Sequence, residues 1–342
     1  MAAFTLLGDD MADWKNMHIS FNNPDSKVDT GFGHATFKIM TTMAKLGYPV
    51  VTNRKSNIQV AFCHPSYYRF FDIPSYKVGY TAWESTELQP GWEEGLKLID
   101  ELWVPNSFCK NVFSNHVDVP IKVFHHGVGS NFYPSKREVG EKFVFLHMGF
   151  PAIRKNLPDT VNAFLENYAG RKDVELWIKG YDTRTIFTTE KNIKLISGHL
   201  PYDKIIDMFH GANSLVYPSW GEGFGLIPLQ AMATGLPTII TDGWADYQYL
   251  TDLVVSSELC ESPWKSLHPG KMFKPDFNSL VSRMDEVFKN YDKYSESSFN
   301  KTDYIHQEWS WDNKVKIHFE EFLQDLYKRK IDEVLNSGIP LV

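Results

Sequence analysis

Residues 217–237 read Tyr217-Pro-Ser-Trp-Gly-Glu222-Gly-Phe-Gly225-Leu-Ile-Pro-Leu-Gln230-Ala-Met-Ala-Thr-Gly-Leu-Pro237. An apolar run ends at Tyr217, a glycine-rich loop spans 221–225, and a helical pattern opens near Ile227. Glycines let the backbone approach a ligand closely. Unpaired N–H groups at a helix start offer a site for phosphate. Glu222 sits inside that loop. A carboxylate beside a phosphate site is electrostatically unfavourable unless it accepts hydrogen bonds from hydroxyls, and a sugar supplies those. The residues alone leave two readings open: a site for a sugar phosphate or nucleotide sugar, or a structural turn with a surface glutamate.

Outward from this stretch, short apolar runs alternate with helical stripes. Residues 143–148, 175–178, 193–196, 215–217 and 238–241 predict strands, and residues 157–168, 202–210 and 227–234 predict helices. The first half repeats the pattern. A strand is expected at 17–21, then a glycine turn at Gly31 and Gly33, then a helical stripe through Ala35, Ile39, Met43 and Leu46. Further strands are expected at 58–62, 76–80, 101–104 and 121–124. This is the βαβ pattern of parallel sheets covered by helices. The polar stretch 127–141, with Pro134, predicts a linker between the halves. Residues 311–335 predict one or two amphipathic helices with Val315, Phe319, Phe322, Leu323 and Leu326 on one face. The fold class is therefore α/β, with two Rossmann-like domains facing a central cleft. Ligands of such sheets bind at the carboxyl ends of the strands.

Composition narrows the function classes. The chain has 342 residues, 43% hydrophobic and 15% aromatic, which suits a globular protein of two domains. A net charge of -7 gives no global basic signal for nucleic acid or anionic membrane. Cys63, Cys109 and Cys260 are far apart, without metal or disulfide spacing, so a reducing compartment is expected. The N-terminal stretch has no basic region before its apolar residues, and no run approaches the roughly 20 apolar residues that span a bilayer. The expectation is a cytoplasmic protein with no transmembrane segment. No strict Asp-x-Asp and no His/Cys cluster with metal spacing occurs, so no metal and no cofactor are expected.

The segment from Pro218 to Gly225 resembles the donor-site signature of retaining glycosyltransferases of family 4, which reads Pro-Ser-x-x-Glu-Gly-Phe-Gly. Asp242 and Asp246 downstream fit the same pattern, and the likeness runs over nearly the whole chain. It implies a GT-B fold: residues 1–135 as an acceptor-side domain, residues 142–311 as a nucleotide-sugar donor domain, and a C-terminal helix at 312–342 packing back on the first. The loop Gly149-Phe-Pro-Ala-Ile-Arg-Lys-Asn156 is similar to the family loop in which an Arg-Lys pair meets the donor diphosphate. Lys155 and Arg154 are assigned that contact by resemblance, with Gly223, Phe224, Gly225 and Leu226 at the helix start, and Gly31 and Gly33 across the cleft. Lysine is a point charge suited to phosphate and arginine a planar fork.

The resemblance also implies that Glu222 binds the donor sugar and that His64, at the end of the strand at 58–62, assists at the reacting centre. The nucleoside is expected near Gln230, His199 and Leu200. Glu84, Tyr67 and Arg69 are the acceptor-side candidates. Three positions depart from the pattern. Phe150 stands where an arginine is usual, Gly129 where an acid is usual, and Gln230 where a second glutamate accepts from the ribose. Glutamine keeps one carbonyl acceptor and adds a donor.

The function expected is metal-independent transfer, with retention, from a UDP- or GDP-sugar to a hydroxyl acceptor. A glycan, a small molecule and a hydroxylated DNA base are the acceptor classes. Gln230, Phe150 and Gly129 motivate the alternative of a non-catalytic relative that binds nucleotide sugar or glycan. A nicotinamide oxidoreductase rests only on Gly31 and Gly33, and Thr36 stands where the third glycine of a dinucleotide fingerprint belongs. Oligomeric state is not legible in the sequence.

Overall fold

The computed structural model describes residues 19–22, 30–52, 56–71, 75–150, 152–180 and 189–336, with 330–336 described by backbone alone. Met17 and His18 of the first expected strand, and the basic pair Arg54 and Lys55, lie outside the described residues.

Two six-stranded parallel sheets form the frame. The first holds β1 (Ile19–Asn22), β2 (Val50–Thr52), β3 (Ile58–Phe62), β4 (Tyr76–Tyr80), β5 (Glu101–Val104) and β6 (Ile121–Val123), in the order β2-β1-β3-β4-β5-β6. The second holds β7 (Phe143–Met148), β8 (Val174–Lys179), β9 (Ile193–Ile196), β10 (Ser214–Tyr217), β11 (Thr238–Thr241) and β12 (Val254–Val255), in the order β12-β11-β10-β7-β8-β9. Each order reverses once, between β1 and β3 and between β7 and β10, and a crevice at such a switch point is where ligands of these sheets lodge. The central strands read as continuous apolar runs because helices cover both faces: every residue of β3, β5, β7, β10 and β11 is buried.

In the first half α1 (Gly31–Lys45), α2 (Trp92–Leu96) and α3 (Ser107–Phe113) follow β1, β4 and β5. In the second, α4 (Leu157–Tyr168), α5 (Tyr202–Gly211) and α6 (Leu226–Ala233) follow β7, β9 and β10. A hairpin of β13 (Ser257–Glu261) and β14 (Lys271–Pro275) comes next, and helices α7 (Phe277–Lys289), α8 (Tyr291–Asn300), α9 (Thr302–Glu308) and α10 (Trp311–Asn336) complete the chain. The final segment is one helix. Trp311, Val315, Phe319 and Phe322 of α10 enter the core built on β1, β3 and β4, and Phe319 and Phe322 set their rings at right angles to Trp103 of β5.

Two expectations are corrected. Gly31 and Gly33 do not form a turn. They open α1, where the Thr30 hydroxyl accepts from the Gly33 N–H as an N-cap. The stretch 127–141 is only partly a free linker. Val128 and Phe132 are buried in the second core, Val128 donates its N–H to the Trp309 carbonyl at 2.7 Å, and a Cβ on Gly127 would meet the Trp311 nitrogen at 2.4 Å.

Candidate active site

The two halves meet at the carboxyl ends of both sheets, around a cavity of about 510 Å³. The first half lines it with Thr30 and Gly31 at the start of α1, Ala82 and Glu84 after β4, and His126 after β6. The second half lines it with Phe150, Arg154 and Lys155 after β7, with 222–227 and Gln230 after β10, and with Tyr202 at the start of α5.

Close approach explains the glycines of the loop. A Cβ on Gly221 would meet the Glu84 carbonyl at 2.4 Å, and one on Gly223 would meet the Ala82 Cβ at 2.6 Å. Gly225 is the N-cap of α6 at φ 85°, in the left-handed region, and caps nothing with a side chain. The first turn of α6 therefore carries N–H groups without a side-chain cap beside the cavity, where the helix dipole favours negative charge.

Glu222 is the hub of the site, 6% exposed. Its Oε1 accepts from Lys155 Nζ at 2.6 Å, Arg154 at 2.7 Å, the Ser219 hydroxyl at 2.6 Å and the Tyr217 hydroxyl at 3.1 Å. Burial alone would raise its pKa, but the charges of Arg154 and Lys155 outweigh burial and hold it down to about 2. Lys155, also buried, donates to Tyr217 as well. Burial, opposed by Glu222 and reinforced by Arg154, lowers its pKa to about 8. Arg154 opposes burial through Glu222 and Glu84, which raise its pKa above the ordinary arginine value. It also donates to the Gly221 carbonyl at 2.7 Å and reaches Glu84 Oε1 at 3.1 Å.

Nearer α5, the Tyr202 and His34 rings stack across the cleft at 5.2 Å, and the Tyr202 hydroxyl lies 3.0 Å from His34 Nε2. Gln230 is buried and shares a hydrogen bond with Tyr202. His126, 5% exposed, has no hydrogen-bond partner for either ring nitrogen among the described residues. Burial first, then His34 and His125, lower its pKa to about 3, so it is neutral.

The structure thus gathers Glu222, Lys155, Arg154, Gly223, Phe224, Gly225, Leu226, Gly31, Gln230 and Glu84 around one cavity. Other sequence candidates stand apart from its wall. Gly33 is buried one residue pair into α1. His64 packs its ring between Phe32 at 5.4 Å and Trp92 at 5.3 Å. Tyr67 stacks near Phe70, and the Arg69 guanidinium lies 4.9 Å over the same Phe70 ring. His199 is exposed, and Leu200 packs against the second core. Asp242 accepts from Gln248 at 2.8 Å. Asp246 joins the halves: it accepts from the Ser107 N–H and hydroxyl and lies 2.8 Å from His125 Nε2. His34 and His126 are cavity residues for which the sequence offered no site role. Their signal is spatial, since His34 and His126 reach the cavity only when the first sheet is assembled. No group of three or more His, Cys, Asp or Glu with metal-holding geometry occurs among the described residues. No described helix is long and apolar enough to cross a membrane.

Comparison with known proteins agrees with this architecture. Residues 142–257 match the family model of glycosyl transferases group 1. Over 184 residues, 48% of this chain and 49% of the relative, the sequence is 26% identical to the O-antigen chain mannosyltransferase RfbU of Salmonella typhimurium. The chain thus spans about half the length of the curated relatives it matches. The fold is similar to sucrose-phosphate synthase from Thermosynechococcus elongatus, with a TM-score of 0.66 at 11% identity, covering 92% of this chain and 100% of that one. It is also similar to Anabaena HepE, solved with UDP and glucose, with a TM-score of 0.62 at 12% identity over 90% and 99% of the two chains. Two Rossmann-like sheets with a cleft between their carboxyl ends give the chain the GT-B fold, and within it residues 142–257, which include the loop of Glu222, are similar to glycosyl transferases group 1.

Proposed function

We propose that the protein transfers a sugar, with retention, from a UDP- or GDP-sugar to a hydroxyl acceptor without a metal. The observation that carries this reading is the buried Glu222 carboxylate held by Lys155 and Arg154 at the start of α6, in a cavity shared by both halves. Glu222 occupies the two cations, Lys155 and Arg154. A donor diphosphate offers them a stronger partner, and Glu222 is then released to accept from sugar hydroxyls. Lys155, Arg154 and the α6 N–H groups stabilise the charge that builds on the leaving diphosphate. Gln230, beside Tyr202, takes the ribose. His64, its ring 5.4 Å from that of Phe32, contacts the sugar from the first half and assists at the reacting centre. Residues 1–135 serve the acceptor, residues 142–311 the donor, and the protein acts in the cytoplasm. The acceptor is a glycan, a small molecule or a hydroxylated DNA base. Binding of UDP and glucose by HepE supports a nucleotide-sugar donor.

Glu222→Gln tests the reading. It keeps the shape of the side chain and removes its charge. Release of labelled sugar from UDP-glucose or GDP-mannose is expected to fall at least about a hundredfold, the scale of losing one directed electrostatic contact, while thermal unfolding stays cooperative. Undiminished turnover in this variant refutes the role of Glu222.

A further inference from the structure

Arg154 is shared between two carboxylates from opposite halves of the molecule. One guanidinium nitrogen lies 2.7 Å from Glu222 Oε1 on the donor loop, and the other 3.1 Å from Glu84 Oε1, which follows β4 of the first sheet. Both side chains are largely withdrawn from water, with Arg154 14% and Glu84 18% exposed. Behind Glu84 lies His268, on the loop between β13 and β14, with Nδ1 3.6 Å from Glu84 Oε2, beyond hydrogen-bond distance, and its ring 4.7 Å from that of Trp83. That loop is strapped to the first half, because Thr86 and Lys271 exchange two hydrogen bonds and Gln89 donates to the Leu267 carbonyl at 2.8 Å. The family match ends at residue 257, where the hairpin begins.

The charge balance at the cavity follows directly. Two cations, Arg154 and Lys155, face two carboxylates, Glu222 and Glu84. The burial-depressed His34 and His126 add no charge at neutral pH. A phosphate ligand therefore enters a site with no net positive charge. It must displace a carboxylate from Arg154 to bind, and Glu222 gains hydroxyl partners on release whereas Glu84 gains none from the donor.

We propose that Glu84, beside the hairpin loop, competes with the donor diphosphate for Arg154 and so sets how much phosphate charge a ligand needs to bind. This rests on the donor-site reading above. A nucleoside diphosphate carries enough charge to displace Glu84; a nucleoside monophosphate is held off. Glu84 is thus a specificity-determining residue that acts through Arg154.

The sign of the effect separates this from a structural role. Removing a like charge from a partly desolvated site strengthens anion binding, whereas loosening a structural ion pair between the halves weakens it. Glu84→Gln is expected to tighten UDP and GDP binding about tenfold, measured by calorimetry on the full chain, with the free nucleosides unaffected. UMP and GMP, which carry less charge, are expected to gain by a smaller factor and to pass from no detectable binding to weak binding. Equal or weaker diphosphate binding in Glu84→Gln overturns the inference while the donor-site reading stands. Absence of binding by UDP and GDP in both the wild type and the variant overturns the two together.

Discussion

Lys155 is the residue whose chemistry is most directly readable. Its ammonium is buried against Glu222 and Tyr217, and its pKa of about 8 lies below the ordinary lysine value of 10.5 because burial outweighs the attraction of Glu222. In the proposed donor site it is the charged form that holds phosphate. As pH rises through about 8 that form is lost, so the affinity for UDP or GDP is expected to be level from about pH 7 to 7.5 and to fall above pH 8. Titration calorimetry across this range checks it. Lys155→Met is expected to bind at least about tenfold more weakly and to lose the alkaline decline. Glu222, Lys155 and Arg154 are legible in the sequence because a motif names them. Their mutual pairing is not, since the arginine and lysine follow β7 while the glutamate follows β10, and only the adjacency of those strands joins them. His126 was equally hidden: only the assembled cavity brings its imidazole, with no hydrogen-bond partner for either ring nitrogen among the described residues, beside the loop of Glu222.

At the scale of elements, the parallel strands were the most readable part of the chain. Strands buried on both faces need unbroken apolar runs, and those runs survive in the sequence with boundaries that shift by one or two residues. The β13–β14 hairpin left no such trace. Its residues are mostly half-buried or exposed, and Ser257-Glu-Leu-Cys-Glu261 carries little apolar signal. Its position is decided by contacts with Thr86 and Gln89, far away in the chain. The turn before α6 is the most constrained element. Gly225 holds φ 85°, and a Cβ there would lie 2.5 Å from the Trp244 ring and 2.6 Å from the Tyr247 hydroxyl, both buried. Gly225→Ala combines left-handed strain with overpacking and is expected to destabilise the protein by about 2–4 kcal/mol. Chemical denaturation checks this: a loss below about 1 kcal/mol means that the loop has room the structure does not show.

At the scale of the whole molecule, the two halves hold each other in a particular register. Asn106 of the first half donates to the backbone carbonyls of Glu222 and Trp244, and Asp246 of the second caps the Ser107 N–H at the start of α3. Trp311 and the α10 residues that follow it return to the first core. The site exists only where these contacts bring Glu84 and His34 to within reach of Arg154 and Tyr202. Two tandem βαβ series announced a cleft, but which side chains cross it depends on loops whose partners lie more than a hundred residues away. The central claim is that this cleft receives a nucleoside diphosphate. The measurement that tests it most directly is thermal unfolding of the protein with UDP, GDP, ADP and NAD, each at millimolar concentration. A ligand that binds only the folded state stabilises it by RT ln(1+[L]/Kd), about 2.7 kcal/mol at a hundredfold excess over Kd. A clear upward shift with UDP or GDP, and none with NAD, is expected. No shift with either UDP or GDP, or a shift with NAD alone, contradicts the claim.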